Sequence, residues 1–268
     1  MSGLNRSSYY KWLNRKETER EIENRELIGK MRIIQEKRNH IYGVRRLAMI
    51  LNKGSDKRHN HKKIYRLMKI AGIECQIRKK RRSCTKAALG SKTAENILNR
   101  DFSADVPNQK WLTDVTEFKY GIDGKAYLSA ILDLCDKCIV SYVIGHSNNS
   151  QLAFETFDRA VEANPLACPL FHSDRGYQYT SPAFRSKLRT AKMTQSMSRI
   201  GNCIDNGPIE GFWGIIKSEM YQFNKFSTFD ELKIAIVEYI NFYNTERLQA
   251  GLGGASPAEY REALLKTA

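Results

Sequence analysis

The stretch KWLTDVTEFKY, residues 110–120, decides the fold that the sequence predicts. Apolar residues recur among polar ones along it, as in a half-buried β-strand. Two apolar runs follow at 126–134 and 139–144, and a turn separates each run from the one before it. Turn-separated strands of this kind predict an antiparallel meander that begins near residue 110.

Helical and extended patterns alternate downstream of this meander. A helix is predicted at 150–163, a short strand at 170–173, and further helices at 182–188, 209–220 and 229–243. Strands that are followed by alternating helices and strands predict an α/β fold, in which helices cover the faces of a mixed sheet.

The region upstream is predicted to be helical, with helices at 17–38, 44–51 and 60–71. Three short helices that end in a basic one favour a helix-turn-helix-like DNA-binding region. An ordinary three-helix bundle with a solvated basic face fits the pattern equally well. The basic face of the third helix consists of Lys62, Lys63, Arg66 and Lys69.

The two ends of the chain differ in charge. The chain holds 44 Lys and Arg against 29 Asp and Glu, a net charge of +15, and residues 1–100 hold 27 of the basic and 9 of the acidic residues. A basic region predicts a polyanionic partner, and acids that face the same partner would repel it unless metal ions lie between them. Five consecutive basic residues predict an arm that contacts DNA phosphates, with a solvated linker as the alternative. They are Arg78, Lys79, Lys80, Arg81 and Arg82.

These patterns predict three parts: a helical region at 1–77, a basic linker at 78–104 and an α/β core at 105–268. The first 15 residues are polar and lack the apolar segment of a signal peptide, and no apolar run reaches the roughly 18–20 residues that span a bilayer. The six cysteines are scattered, which predicts reduced thiols rather than disulfides. We therefore expect a cytoplasmic protein with no membrane partner.

Zinc is not expected as a cofactor. Cys135 and Cys138 have the spacing of a zinc or redox pair, but no second ligand pair accompanies them. The spacings among the upstream histidines and cysteines also fit no zinc site; these residues are His59, His61, Cys75 and Cys84.

Three acidic residues occupy positions that a metal-dependent site would use. Asp114 lies within the first strand, Asp174 follows the short strand at 170–173, and Glu210 lies on a helix, with 35 residues between Asp174 and Glu210. Mg²⁺ prefers hard oxygen ligands, and two such ions ~3.5–4 Å apart serve the attacking and leaving oxygens of an in-line phosphoryl displacement. The three carboxylates are therefore the predicted catalytic and metal-binding set.

Motifs along nearly the whole chain resemble the DDE transposases and retroviral-type integrases, and most closely the OrfB product of bacterial insertion sequences. One motif would be weak evidence, but this many in order, together with the D…35…E spacing, are highly specific. In the second part they are WLTDVT (111–116), YLS (127–129), LDL (132–134), HSDRG (172–176), QYTS (178–181), SMSR (196–199), GNC (201–203), KSE (217–219), YN (243–244) with Arg247, LG (252–253), and SP (256–257) with Tyr260. Upstream they are SSYYKW (7–12), YGVRR (42–46) and KIYRLM (63–68).

The resemblance implies that 105–268 is an integrase catalytic core with a ribonuclease-H-like fold, a five-stranded mixed sheet flanked by helices. It also implies two Mg²⁺ ions, with Mn²⁺ as a usable substitute, and Asp114 as the ligand that bridges them. The implied partners are DNA, as the terminal repeats of the element and as the target, and further copies of the chain assembled on that DNA. The implied location is the bacterial cytoplasm, on the nucleoid when DNA is bound.

The implied reaction uses one site twice. A metal-activated water first attacks a phosphodiester at the end of the element and frees a 3′-OH. That 3′-OH then attacks a second phosphodiester and joins the strands. In the family the first joining event occurs within the element and produces a circular intermediate, which is afterwards integrated.

Other residues near the acids have open roles. Lys217 follows Glu210 by seven residues, so on one helix it would face the same way and contact DNA, with a solvated lysine as the alternative. Arg175 either holds phosphate or pairs with an acid. His172 is expected to be a structural hydrogen-bonding residue rather than a metal ligand. Asp205 and Asn206 are expected to form Asx-type turns before the Glu210 helix, and a metal-ligand role for Asp205 is the less favoured alternative.

The chain departs from the family in two places. Gly207 stands where the family usually has Ala, and Met1 lies almost inside the 7–12 motif. The product of the upstream reading frame, separate or fused, is therefore an expected partner. The alternatives to an active transposase are a non-catalytic DNA-binding regulator of transposition, an inactive truncated copy, or a simple nuclease with the same fold.

Overall fold

The computed structural model describes residues 5–76, 94–199 and 203–267, and the chain divides into two compact units, residues 1–79 and 80–268. The predicted basic arm Arg78–Arg82 lies outside the described residues. Among the described helices, none has both the length and the apolar character needed to cross a bilayer.

The first unit is all-helical, as predicted, with α1 at Arg6–Leu13, α2 at Glu19–Lys37, α3 at Val44–Asn52 and α4 at His61–Ala71. Capping residues set three of the starts, because Asn5, Thr18 and Asn60 each accept a backbone N–H of the first turn. Helix α1 was not predicted. It has only eight residues, which are fewer than the roughly 11–18 over which helical periodicity is recognised, and none of its side chains is buried.

A small apolar core and one buried amide hold α2, α3 and α4 together. The amide of Gln35, at the end of α2, donates to the Tyr42 carbonyl (2.8 Å) and accepts from the Tyr42 N–H (3.2 Å), which secures the turn into α3. Helix α4 ends where Gly72 adopts φ of +63°, a conformation that costs glycine little. The core side chains are Leu27, Met31, Leu47, Ile64 and Leu67.

The second unit is built on a five-stranded sheet in the order β3-β2-β1-β4-β5. Strands β1, β2 and β3 form the predicted antiparallel meander, and β1–β4 and β4–β5 are parallel, so the predicted mixed sheet is confirmed. Strand β1 is the central strand. The strands are β1 (Lys110–Tyr120), β2 (Gly124–Asp133), β3 (Ile139–Gly145), β4 (Leu170–Ser173) and β5 (Thr194–Met197).

Helices cover both faces of the sheet. Helices α5 and α7 enclose a core of interlocking aromatic rings on one face, and α8 packs against β1 on the other. The aromatic core includes Trp111, Phe157, Phe171 and Phe184. The helices are α5 (Ser150–Ala163), α6 (Tyr177–Thr180), α7 (Pro182–Thr190), α8 (Gly207–Ile216), α9 (Phe229–Thr245) and α10 (Pro257–Thr267).

One predicted helix is interrupted. The sequence predicts a single helix at 209–220, but α8 ends at Ile216 and a π-helical turn, Lys217–Tyr221, follows it. In that turn the Gln222 N–H donates to the Lys217 carbonyl (2.8 Å), five residues back rather than four. Apolar periodicity does not predict such a turn, because the extra residue is fixed by contacts made elsewhere in the fold.

A buried ion cluster attaches the C-terminal helix to the sheet. The guanidinium of Arg261, on α10, pairs with Asp133 (3.0 Å) and with Asp136, and both carboxylates have side chains with no solvent exposure. The Asn108 N–H also donates to Asp133 (2.6 Å). Burial and the neighbouring Asp136 raise the pKa of Asp133, so the arginine offsets a real electrostatic cost.

We expect Arg261→Met to lower the free energy of unfolding by about 3–5 kcal/mol, because it leaves two buried carboxylates without their cation. Denaturant unfolding followed by circular dichroism measures this. The matched control is Arg159→Met, which breaks the exposed pair with Glu155 and should change stability by less than about 1 kcal/mol. Equal effects of the two substitutions would contradict the role given to the cluster.

Candidate catalytic site

The three predicted acids are carried by neighbouring elements. Thr113 of β1 is paired in parallel with Ser173 of β4, so the residues that follow them, Asp114 and Asp174, lie side by side. Glu210 is in the first turn of α8, the helix that packs on β1. The parallel crossover therefore places two acids that are sixty residues apart in sequence at adjacent strand positions.

A tryptophan ties the helix to the first acid. The indole Nε1 of Trp213 donates to Asp114 Oδ2 (2.9 Å), while the Val115 N–H donates to Asp114 Oδ1 (2.8 Å). Trp213 lies three residues after Glu210, so both project from the same side of α8. Sequence reasoning assigned no role to Trp213, although this spacing was available to suggest one.

A glycine leaves room beside the second acid. The Gly176 N–H donates to Asp174 Oδ1 (2.9 Å), and a Cβ atom at position 176 would lie 2.9 Å from that same oxygen. A side chain there would therefore collide with the carboxylate or displace it. The HSDRG motif thus needs its glycine for close approach of the backbone rather than for an unusual φ.

The turn before α8 is held by two adjacent polar residues. Asn206 is 3% exposed, and its side-chain amide donates to the Thr113 carbonyl (3.1 Å), which connects the helix start to the strand of Asp114. Its Oδ1 is buried without a hydrogen-bond partner. Asn206 makes no side-chain cap for α8, so it acts through this cross-link and not through the expected Asx turn.

Asp205 is an ion-pair centre. Its buried carboxylate accepts the backbone N–H (3.0 Å) and Nε (2.9 Å) of Arg199, the Nε of Arg100 (2.7 Å) and the amide of Asn96 (2.9 Å). These donors, Arg199 first, hold the pKa of Asp205 well below its usual range. Residues 94–100, which fall within the predicted linker 78–104, also contact β5 through Leu98, whose N–H donates to Ser196 Oγ. Two arginines thus anchor the loop that leads to Glu210.

The three acids have raised pKa values. Burial, followed by the charges of Asp174 and Glu210, raises the pKa of Asp114 to about 7. Burial raises the pKa of Asp174, and burial together with the charge of Asp174 raises that of Glu210. Asp114 and Asp174 are partly buried and Glu210 is exposed, and carboxylates that repel one another in this way mark a place where positive charge is favourable.

The three carboxylates are hard oxygen donors, the kind of ligand that Mg²⁺ prefers. Across residues 5–76, 94–199 and 203–267, no three His, Cys, Asp or Glu side chains are arranged to hold one metal ion together. Mg²⁺, however, is usually held by one or two carboxylates together with waters and substrate phosphates. The donor set of hard, mutually repelling oxygens fits that mode.

Lys217 lies on the same face of β1 as Asp114. Its ammonium is 2.5 Å from Thr116 Oγ1 and 5.2 Å from the centre of the Phe118 ring. Residues two apart on a strand point the same way, so Asp114, Thr116 and Phe118 share one face. The structure therefore brings the predicted Lys217 to the side of the sheet that carries the acids.

Arg175 and His172 have structural partners. Arg175 Nε donates to the Ser198 carbonyl (2.7 Å), a neutral acceptor that follows β5. His172 is buried between Ser196 Oγ (2.8 Å) and Ser198 Oγ (3.1 Å), and burial lowers its pKa to about 4. These contacts agree with the structural role expected for His172.

The four basic residues of α4 differ in exposure and in their partners. Lys62 and Arg66 are exposed, and Lys69 is exposed with its ammonium 5.7 Å from the centre of the Tyr65 ring. Lys63 instead forms an ion pair with Glu23 of α2 (2.9 Å). The sequence pattern treated the four alike, because the charge of a helix face does not reveal which cation has an intramolecular partner.

Family models match both units. The HTH-like domain matches residues 21–81, and two models described as integrase core domains match residues 104–203 and 210–265. A putative transposase InsK of insertion sequence element IS150 from Escherichia coli K12 is 40% identical over 222 residues, which are 82% of this chain and 77% of that protein. The chain belongs to the insertion-sequence transposases.

Two further comparisons agree with this assignment. A transposase-like protein of Haemophilus influenzae is 41% identical to the transposase over 202 residues, which are 75% of this chain and 93% of that protein. A chain in the structure of the simian T-cell lymphotropic virus intasome with PP2A regulatory subunit B56 gamma has a TM-score of 0.50 at 15% identity, and the match covers 76% of this chain and 67% of that one. The fold is thus that of the ribonuclease-H-like integrases, and the transposase is an enzyme of the DDE polynucleotidyl transferase class.

The raised pKa of Asp114 predicts how the stability of the transposase depends on pH. The folded protein binds this proton more tightly than the unfolded chain, so this contribution to stability is lost as pH rises from about 4 to about 7. The loss amounts to at most about 4 kcal/mol. Asp114→Asn removes it, and we expect the metal-free variant to gain stability relative to the wild type as pH rises from 5 to 8.

Denaturant unfolding in EDTA at a series of pH values measures this difference. The control is Asp158→Asn, at an exposed carboxylate that is paired with Lys187. Curves for the wild type and Asp114→Asn that run parallel between pH 5 and 8 would contradict the prediction.

Proposed function

We propose that Asp114, Asp174 and Glu210 form the catalytic site of the transposase and hold two Mg²⁺ ions, with Mn²⁺ as a substitute. The observation that carries this proposal is the convergence of three repelling carboxylates from β1, β4 and α8 on one place. Asp114 is the proposed shared ligand, as the resemblance to the DDE transposases implies. When bound, the ions would supply Lewis-acid activation of the attacking oxygen and stabilise the leaving oxygen.

The residues around the acids prepare the site for this task. Trp213 and the Val115 N–H orient the two oxygens of Asp114, and the Gly176 N–H orients Asp174. Fixed hydrogen bonds of this kind reduce the reorganisation needed when charge develops on the phosphate. In the metal-free protein the pKa of Asp114 is about 7, so a bound cation would compete with a proton for this carboxylate.

The substrate is DNA, and two displacements occur at the same site. In the first, the oxygen of water forms a bond to phosphorus and the bond to the 3′ oxygen breaks, which leaves a 3′-OH and a 5′-phosphate. In the second, that 3′-OH attacks another phosphodiester, and a 3′ oxygen of the target strand leaves. The ammonium of Lys217 binds a DNA phosphate on the face of β1 that carries Asp114. The exposed cations of α4 bind phosphates to the first unit, and Arg175 is a further candidate phosphate-binding residue. Membership of the family favours this activity over a regulator without catalysis.

The reaction requires DNA and, as we propose, further protein partners. We propose that the first unit positions the terminal repeats of the element and that several copies assemble on the DNA. The product of the upstream reading frame stays a predicted partner, and cleavage assays with and without that product test it.

Asp174→Asn should abolish cleavage while DNA binding is kept, because it removes one charged ligand and leaves the fold intact. We expect the rate of strand cleavage in Mg²⁺ to fall by at least about 100-fold, the loss typical for one electrostatic group of a catalytic site. A labelled duplex with the element end, analysed on a denaturing gel, gives the rate. Asp158→Asn is the matched control, and cleavage by Asp174→Asn at the wild-type rate would rule out the proposed site.

DNA binding by α4 should depend strongly on salt. Each phosphate contact contributes about 0.9 to the slope of log affinity against log salt. Lys62→Ala and Arg66→Ala should each reduce that slope by about one, measured by fluorescence anisotropy on a labelled duplex in EDTA. Lys63→Ala, whose cation is paired with Glu23, should reduce it less. A slope that none of these substitutions changes would argue against α4 as the DNA-binding helix.

A further inference from the structure

The π-helical turn Lys217–Tyr221 is the least regular element beside the proposed site. It directly follows α8, and its extra residue turns everything after it by about 100° relative to a continuing α-helix. Such turns are rare and usually need support from outside the helix. The contacts that support this one are therefore informative.

A buried ion pair between Arg247 and Glu219 holds the middle of the turn in place. The guanidinium of Arg247 donates Nε to Glu219 Oε2 (2.9 Å) and Nη2 to Glu219 Oε1 (2.7 Å), and Tyr239 Oη donates to the same Oε2 (2.8 Å). The side chain of Arg247 is 5% exposed and that of Glu219 is 12% exposed. Two parallel bonds from a planar guanidinium fix the direction of the carboxylate as well as its position.

Both ends of the turn reach the strand of Asp114. At its start, the Lys217 ammonium contacts Thr116 and the Phe118 ring. At its end, the Tyr221 hydroxyl donates to the Lys119 carbonyl (2.8 Å) and accepts the Lys119 N–H (3.0 Å). Arg247 makes no such contact with β1 among the hydrogen bonds of the described residues, so its influence on that strand passes through Glu219.

We propose that Arg247 is a positioning residue of the transposase: through Glu219 it holds the π-helical turn in the form that places the Lys217 ammonium on the face of Asp114. This inference rests on the proposed function, since the cation is useful there only if DNA phosphate binds. Without the pair with Glu219, the turn relaxes toward an α-helix and the residues after Lys217 rotate by about 100°. Tyr221 then loses its bonds to Lys119, and the end of α8 that carries Lys217 is no longer held against β1. Arg247 thus affects phosphate binding although its own side chain is buried.

The test is a double-mutant cycle on the full-length chain. Arg247→Lys keeps the charge but loses the paired donors, and Lys217→Ala removes the cation that is positioned. We expect each single substitution to slow strand cleavage about tenfold or more, because small misplacements near a reacting centre carry losses of up to about 100-fold. In the Lys217→Ala background, Arg247→Lys should have less than about a threefold further effect.

A second readout does not involve catalysis. The salt dependence of binding to a labelled random-sequence duplex is measured in EDTA. Lys217→Ala should lower the slope by about 0.9, and Arg247→Lys should lower it by a similar amount although Arg247 is buried. Tyr239→Phe removes one hydrogen bond to Glu219 and should give a smaller change in the same direction, and it serves if Arg247→Lys does not fold.

The matched control is Arg261→Lys. Arg261 is also largely buried and also forms buried ion pairs, but with two carboxylate groups, Asp133 and Asp136, in the cluster on α10. We expect it to lower stability without changing the salt slope.

Additive effects of Arg247→Lys and Lys217→Ala, or an unchanged salt slope in Arg247→Lys, would overturn the proposal and leave Arg247 a purely stabilising residue. Failure of the proposed function has a different signature. In that case Asp174→Asn cleaves like the wild type, whereas the salt slopes of Arg247→Lys and Lys217→Ala are unaffected by that result.

Discussion

The repulsion among the carboxylates of Asp114, Asp174 and Glu210 is the constraint on which the second unit depends. Parallel pairing of β1 with β4 places Asp114 beside Asp174, and the docking of α8 adds Glu210. Each of these steps costs free energy in the metal-free protein, as the raised pKa values show. Helix α8 carries Glu210 toward the two aspartates, so the contacts that hold α8 on the sheet must stabilise the fold by more than this repulsion costs.

The attachments of α8 are distributed around it. Asn206 joins its start to the Thr113 carbonyl, Trp213 joins its middle to Asp114, and the π-helical turn at its end is joined to β1 through Lys217 and Tyr221. The loop before it is held by the arginines on Asp205. Because each attachment uses a hydrogen bond with a defined direction, α8 is held in rotation as well as in position, which a purely apolar interface would do less well.

Much of this arrangement could be predicted from the sequence. Apolar patterning located all three strands of the meander. The ranges of α5 and β4 are also those predicted, because α5 is an amphipathic helix and β4 is a mostly buried strand. Strand β5, with the sequence TQSM, has too little apolar character to be recognised, and α10, with the sequence PAEYREALLKT, distributes its apolar residues around the helix rather than along one stripe. The acids were identified from motif and spacing, which do not depend on packing. The roles of Trp213, Asn206 and Arg247 could not be predicted in this way, because their partners lie on other elements and only the folded chain brings them together.

The hydrogen bond between Trp213 and Asp114 has a spectroscopic consequence. An indole ring whose N–H is bonded to a carboxylate changes its emission when the charge on that carboxylate changes. The other tryptophans provide a steady background, since Trp111 is fully buried with its own partner, Asn108, and Trp12 is largely exposed in the first unit. The protein therefore carries an intrinsic optical reporter directly beside its central acid, and loading of that acid, by a proton or by a cation, can be followed without any added label.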